Sequence, residues 1–319
     1  MSAPPNVTAT AARSTGPAPR LSILIPTYDR DVRPLCDELL AGIAALPVPA
    51  EVELLVLLDG NPALLHQEEI VARAEGQGLA AAVAAAPANL GRAAARNALA
   101  TLARGRFLLF LDADSLPDAP DFVARALAAC DDPAFVTCGG RTGQRMDRAP
   151  PDSRLFEQHS RLREWIPAAE RNRDPAGTFL SANFLVLRDL FLAHPIDEAF
   201  QGWGWEDTEW ALRIARLAGI RHVDNTVSHM EHHRDASWLG KLEASAPSYA
   251  RVHRLYPEDT KRHRLFALIR AVHPVRDWDW ARRVLRRLVL TTILPVRLRL
   301  LLLKIVQAMT YARALADGT

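Results

Sequence analysis

Runs of apolar residues separated by amphipathic stretches dominate the first third of the chain. Leu21-Ser22-Ile23-Leu24-Ile25-Pro26 is apolar and β-branched and stops at a proline, which reads as a buried strand. Residues 37–46 have helical spacing, and 52–58 form a second near-continuous apolar run that ends in the turn cluster Asp59-Gly60-Asn61-Pro62. An Ala-rich helical pattern follows over 64–74, a short strand over 83–86 and a helix over 91–102. Phe107-Leu108-Leu109-Phe110-Leu111 is wholly apolar and ends abruptly at Asp112. Continuously apolar strands alternating with helices predict an α/β fold with a mainly parallel sheet covered on both faces. Ligands of such sheets bind at the carboxyl ends of the strands. Thr27-Tyr28-Asp29, Asp59-Gly60-Asn61 and Asp112-Ala113-Asp114 should therefore converge on one crevice.

Beyond Cys130 the pattern changes. Strands are predicted over 135–138 and 184–187 with an Arg-rich polar stretch between them, a helix over 207–217, and helices through most of the last sixty residues. This divides the chain into a disordered leader (1–20), a main domain (21–240, with halves 21–130 and 131–240) and a helical basic extension (241–319).

With 319 residues and 49% hydrophobic content, the chain can bury a sizeable core. A net charge of +2 with 24% charged residues gives no sign of a nucleic-acid partner. Cys36, Cys130 and Cys138 lack a Cys-x-x-Cys spacing, which argues against a disulfide framework and a structural zinc, and suits a reducing compartment. Residues 1–20 lack the features of a signal peptide, and no run approaches the roughly 18 apolar residues of a membrane span. These features predict a cytoplasmic protein, attached to the cytoplasmic membrane face peripherally if at all.

Asp112 and Asp114 lie two apart after a buried strand, so an extended backbone points both carboxylates the same way. Paired carboxylates repel unless a cation sits between them, and a hard divalent ion that also holds substrate phosphate, Mn²⁺ or Mg²⁺, meets that need. The plainer alternative is a helix cap.

The ordered segments Asn89-Leu90-Gly91, Ala95-Arg96-Asn97 and Ala103-Arg104-Gly105, followed by the strand into Asp112-Ala113-Asp114, resemble glycosyltransferase family 2. Ile25-Pro26-Thr27-Tyr28 is similar to that family's opening strand and turn, and the resemblance spans about residues 21–240. Leu58 departs from it, standing where the family carries the first of two acids before Asp59. The resemblance implies a GT-A fold and a nucleotide-diphosphate sugar donor, such as a UDP-sugar. Donor contacts would come from Pro26, Thr27, Tyr28, Asp59, Asn89, Arg96, Asp112, Ala113 and Asp114.

Asn183, Ile196-Asp197-Glu198-Ala199-Phe200 and Gly202-Trp203-Gly204-Trp205-Glu206-Asp207-Thr208-Glu209 look like the acceptor half of β-galactosyltransferases, polypeptide N-acetylgalactosaminyltransferases and bacterial capsule polymerases. This implies that Asp207, with Glu206 as rival, deprotonates the acceptor hydroxyl. A carboxylate opening a helix is kept ionised there and suits that task, although acids also simply favour a first turn. Trp203, Gly204 and Trp205 would bind the acceptor by stacking on a sugar ring, with at least one indole expected to anchor the core. Within His229-Met230-Glu231-His232-His233, the family pattern favours His232 as the third metal ligand beside Asp112 and Asp114, with His229 and His233 competing. No His-Glu-x-x-His is present to suggest a zinc hydrolase.

The reading is a metal-assisted, inverting transferase acting on a hydroxyl of a saccharide or glycoconjugate acceptor. A nucleotide-sugar-binding pseudoenzyme with a regulatory or scaffolding role is the alternative that Leu58 favours. A nucleotidyltransferase would lack the Trp-Gly-Trp-Glu-Asp piece. The Arg-rich stretch 140–173 hints at an anionic acceptor. Residues 282–304 carry seven basic residues and no acidic one among many aliphatics, which suits either an anionic membrane surface or a helix packed on the main domain.

Overall fold

The computed structural model describes residues 8–11, 18–61, 69–131 and 136–317. Strands β1 (Thr8–Ala11), β2 (Leu21–Thr27), β3 (Val52–Asp59), β4 (Ala80–Ala86) and β5 (Phe107–Leu111) lie in the first part of the chain. The later strands are β6 (Ser115–Pro117), β7 (Val136–Cys138), β8 (Arg141–Thr142), β9 (Asn183–Leu187), β10 (Ile220–His222) and β11 (Val227–His229). The main sheet runs β1-β4-β3-β2-β5-β9-β7-β10. β4, β3, β2 and β5 are parallel, and β9 is antiparallel to both β5 and β7.

The apolar runs are explained by burial on both faces. Ile23, Ile25, Leu54, Val56, Leu58 and Leu109 face one core with the helices Arg33–Ala44, Glu69–Gly76 and Phe122–Ala128. Leu24, Leu55, Leu57, Leu108 and Phe110 face the other with Arg92–Leu102, Arg188–Ala193 and Glu206–Ile214. Each such side chain withdrawn from water contributes about 1.5–3 kcal/mol. The first helix starts at Arg33, earlier than its spacing suggested, because a proline fits the first turn without losing a hydrogen bond. The start of the helix expected over 64–74 and residue 135 of the predicted seventh strand lie outside the described residues.

The leader needs one correction. Thr8–Ala11 pairs antiparallel with β4, Thr8 opposite Ala85, so this piece is an edge strand rather than disordered chain. Composition misled because small residues are poor strand signals, yet the exposed edge of β4 offers a ready row of backbone partners.

The helices after residue 240 are not an independent appendage. Trp238, Leu239 and Leu242 share a core with Leu155 and Phe156 of the helix Arg154–Arg163, Val289 of Asp279–Leu290, and Leu300, Leu303 and Val306 of Val296–Asp317. Arg299, part of the basic stretch, is buried against Asp235, and Arg282 and Arg286 reach Glu243. At least one face of 282–304 is therefore a packing surface.

Candidate functional site

β2, β3 and β5 run side by side in parallel, so their carboxyl ends open on one crevice. Thr27 Oγ1 closes the turn after β2 by donating to the Arg30 carbonyl and accepting from its N–H. Pro26 is half-buried in β2 beside Leu57, and Tyr28 is half-exposed. Asn61 donates from Nδ2 to the Tyr28 carbonyl at 2.6 Å, tying the first two strand ends together. Gly60 has φ +74, and a Cβ there would lie 2.1 Å from the Ala88 carbonyl carbon. Only glycine allows the Asp59 turn to close this tightly on the Asn89 loop.

Asp59 is committed to that loop. Its carboxylate accepts from the backbone N–H of Leu90 at 2.7 Å and of Gly91 at 3.2 Å, while Asn89 Oδ1 also accepts from Gly91 at 2.8 Å. Burial raises the Asp59 pKa against these two hydrogen bonds. Both residues thus shape the crevice through backbone contacts. Asn97 similarly clamps the second half to the first, exchanging hydrogen bonds with the Ile196 backbone at 2.9 and 3.1 Å.

Asp112 and Asp114 follow β5, with Ala113 between them packed on the first core. Their surroundings differ. Asp112 is taken up by cations: Arg96 on Oδ1, with Arg141 at 3.5 Å and Arg92 at 4.0 Å from Oδ2. Arg92 and Arg96 share a helix face because they are four apart. Asp114 receives Arg141 on Oδ1 at 2.9 Å and faces His229 Nε2 from Oδ2 at 3.0 Å. Burial alone would raise the Asp114 pKa, but Arg141 and the His229 hydrogen bond outweigh it and hold the carboxyl well below its usual range. Burial, reinforced by Arg141, lowers the His229 pKa against the pull of Asp114, so the ring is neutral at neutral pH.

The histidine placed beside Asp114 is His229, the competitor of His232. β11 pairs antiparallel with β6 and sets His229 opposite Ser115, next to Asp114. His232 lies beyond the strand end, and its Nε2 is 3.0 Å from the Asp147 carbonyl. The donor set at Asp114 and His229 fits a hard divalent cation. A carboxylate oxygen and an imidazole nitrogen 3.0 Å apart match neighbouring ligands of an octahedral ion with bonds of about 2.1 Å. Asp112 fits less well, because guanidinium groups surround its oxygens.

The acceptor side is built on a strained turn. Gly202, Gly204 and Trp205 all have positive φ, Trp205 at +75, and the chain then enters the helix Glu206–Ile214. Trp205 sits edge-on to Tyr249 with centroids 4.8 Å apart, and its Nε1–H donates to the Tyr311 hydroxyl at 3.0 Å. Trp203 packs on the cluster containing Phe156 and Trp238. These contacts make Trp205 the expected core anchor and lean both indoles on the C-terminal helices. That support over-determines the left-handed Trp205, a conformation that costs roughly 1–2 kcal/mol.

Glu206 is 4% exposed, and Arg92 Nε lies 3.5 Å from it, so one guanidinium spans the space between Asp112 and the acid pair. Asp207 is half-buried, and its Oδ1 accepts from the Thr208 N–H at 2.7 Å. Burial, with the Glu206 charge adding to it and Arg92 opposing, pushes Asp207 up to about 6. Asp207 is therefore ionised at neutral pH yet unusually basic for a carboxylate, the property a general base needs.

Arg92 and Arg141 were not singled out by the sequence, which offered His229 as a competitor of His232. Arg92 could have been found from its helical phase with Arg96, whereas Arg141 and His229 are brought in by pairing of β8, β11 and β6. Part of the Arg-rich stretch is spent internally, while Arg148, Arg154, Arg163 and Arg173 stay exposed. Arg141 holds the two aspartates, Arg145 pairs with Glu38, and buried Arg171 donates to the carbonyls of Cys138, Gly139 and Val223.

The sequence model described as glycosyl transferase family 2 matches residues 22–191, more than half of the 319 residues. Among solved structures, the chain is similar to the mannosyltransferase PcManGT from Pyrobaculum calidifontis in complex with GDP-Man and Mn²⁺. Identity is 19% and the TM-score 0.51, over 98% of this chain and 78% of that one. It is also similar to S. aureus TarS 1-349 in complex with UDP, at 17% identity and a TM-score of 0.50, over 94% and 91% of the two chains. No curated protein sequence matches the chain. At these identities the structural likeness speaks for the fold, the GT-A arrangement of a mainly parallel sheet flanked by helices. The chain belongs to glycosyltransferase family 2.

Proposed function

We propose that the protein transfers a sugar from a nucleotide-diphosphate sugar, a UDP-sugar in particular, to a hydroxyl of a saccharide or glycoconjugate, with inversion at the anomeric carbon. The observation that carries this reading is the bridge formed by Arg92, which links the aspartates after β5 to the Glu206–Asp207 pair. Donor phosphate chemistry and a base for the acceptor thus face one another.

The donor diphosphate is placed at the carboxyl ends of β2, β3 and β5, where Arg92, Arg96 and Arg141 supply fixed positive charge. Their preorganisation stabilises the charge that develops on the departing group. A bound Mn²⁺ or Mg²⁺, held by Asp114 and His229, would supply Lewis-acid stabilisation of the same charge. Asp207 accepts the proton of the acceptor hydroxyl as its oxygen bonds to the anomeric carbon. The bond from that carbon to the diphosphate breaks on the opposite face. A pseudoenzyme would have no use for a carboxylate whose basicity is raised in this way.

Binding is tested by thermal unfolding of the full chain with a panel of nucleotide sugars and Mn²⁺. At a donor concentration about a hundred times its Kd, stabilisation of about 2.7 kcal/mol raises the apparent Tm by about 5 °C. A panel in which no nucleotide sugar shifts the Tm would sink the proposal.

A further inference from the structure

The helix Asp279–Leu290 and the first turns of Val296–Asp317 form a hairpin whose outward side is apolar. Trp280, Val284 and Leu288 recur every four residues, so they form one stripe, and all three are exposed. Ile293, in the turn between the helices, is 90% exposed, and Leu298 and Leu301 continue the surface on the second helix. The inward side is already used by Val289, Leu300 and Leu303 in the core, and by Arg282, Arg286 and Arg299 in ion pairs. A surface helix ordinarily turns its polar face to water. Here the outward apolar stripe calls for something to cover it.

Charge identifies the cover. Arg283, Arg287 and Arg297 are exposed on this hairpin and have no ion-pair partner among the described residues. Between Asp279 and Asp317 the sequence contains no acidic residue. A second copy docking on the same patch about a twofold axis would bring arginine against arginine, and the one acid of the segment, Asp279, is already paired with Arg282 and Arg313. An anionic bilayer instead meets the arginines with headgroup phosphates and the stripe with acyl chains. Trp278 and Trp280, stacked 6.0 Å apart at the edge of the patch, are of the residue type that settles at such a boundary.

We propose that the hairpin tip, residues 278–301, docks the enzyme on an anionic lipid surface. Attachment is peripheral, since no helix among the described residues is long and apolar enough to cross a membrane. The last helix also carries Tyr311, the partner of Trp205. At 1.5 Å per residue, about 20 Å of helix axis separates Leu298 from that contact. The catalytic turn is thus buttressed by the same rod that carries the patch.

The test is sedimentation of the full chain with vesicles of phosphatidylcholine alone and with added phosphatidylglycerol, at low and high salt. The protein should pellet with the anionic vesicles and be released by salt. The variant Arg283→Gln/Arg287→Gln/Arg297→Gln should partition about a hundredfold more weakly, at about 1 kcal/mol per basic residue. Ile293→Glu should reduce binding while leaving the Tm unchanged, because the side chain touches solvent. Failure to bind anionic vesicles at low salt, or equal binding by the triple variant, overturns the proposal. So does a concentration-dependent dimer in ultracentrifugation that Ile293→Glu abolishes, which would give the patch to a second copy.

Discussion

Asp207→Asn is expected to lower kcat about 10³-fold while leaving nucleotide-sugar binding intact, within the usual range for loss of a general base. Asparagine preserves the size of the side chain and its acceptor for the Thr208 N–H, so the helix start survives. What disappears is the lone pair that takes the acceptor proton. The pH profile supplies an internal control. Burial and the neighbouring Glu206 put Asp207 at about 6, so the wild-type rate should be flat well above pH 6. Below that value protonation removes the active form, and the rate should fall about tenfold per pH unit. The residual activity of Asp207→Asn should lack this acidic limb. A variant with wild-type kcat would pass the role to Glu206, despite its burial beside Arg92.

Asp114→Asn should reduce kcat/KM about 10² to 10³-fold and abolish the stabilisation of the protein by nucleotide sugar in the presence of Mn²⁺. Asparagine can still accept from Arg141, and Asp112 keeps its own arginine contacts, so the crevice should stay folded. It cannot present the ionised oxygen that faces His229. Chelation of the wild type should give a loss of similar size, and chelation of Asp114→Asn should add little, because both remove one component. A full further loss on chelating the variant would place the cation elsewhere.

The parts of the fold that were legible in the sequence are those where burial dictates residue type over a continuous window. Leu21-Ser22-Ile23-Leu24-Ile25, residues 52–58 and Phe107 to Leu111 are near-continuously apolar because alternate side chains enter two different cores, and the two polar exceptions, Ser22 and Glu53, hydrogen-bond to each other. The short strands carry no such imprint. Ser115–Pro117, Arg141–Thr142 and Val227–His229 are two or three residues long and partly polar, and their pairing is decided by tertiary contacts. His229 and Arg141 reach the aspartates through those pairings, which a family pattern favouring His232 does not encode. Acids at the start of Glu206–Ile214 were visible, but the basicity of Asp207 depends on burial that no local sequence encodes. Trp205 was read as a sugar-stacking surface with a core role as its rival, and the contacts with Tyr249 and Tyr311, residues 44 and 106 positions away, favour the core role.

The measurement that bears hardest on the proposed chemistry is proton NMR of the first product formed from an α-linked UDP-sugar, read at the anomeric proton before mutarotation. With Mn²⁺ present, the transferred or released sugar should carry the β configuration, and after removal of the metal with EDTA the signal should not grow. An α product, or transfer that continues undiminished in EDTA, would contradict single in-line displacement assisted by a cation at Asp114 and His229.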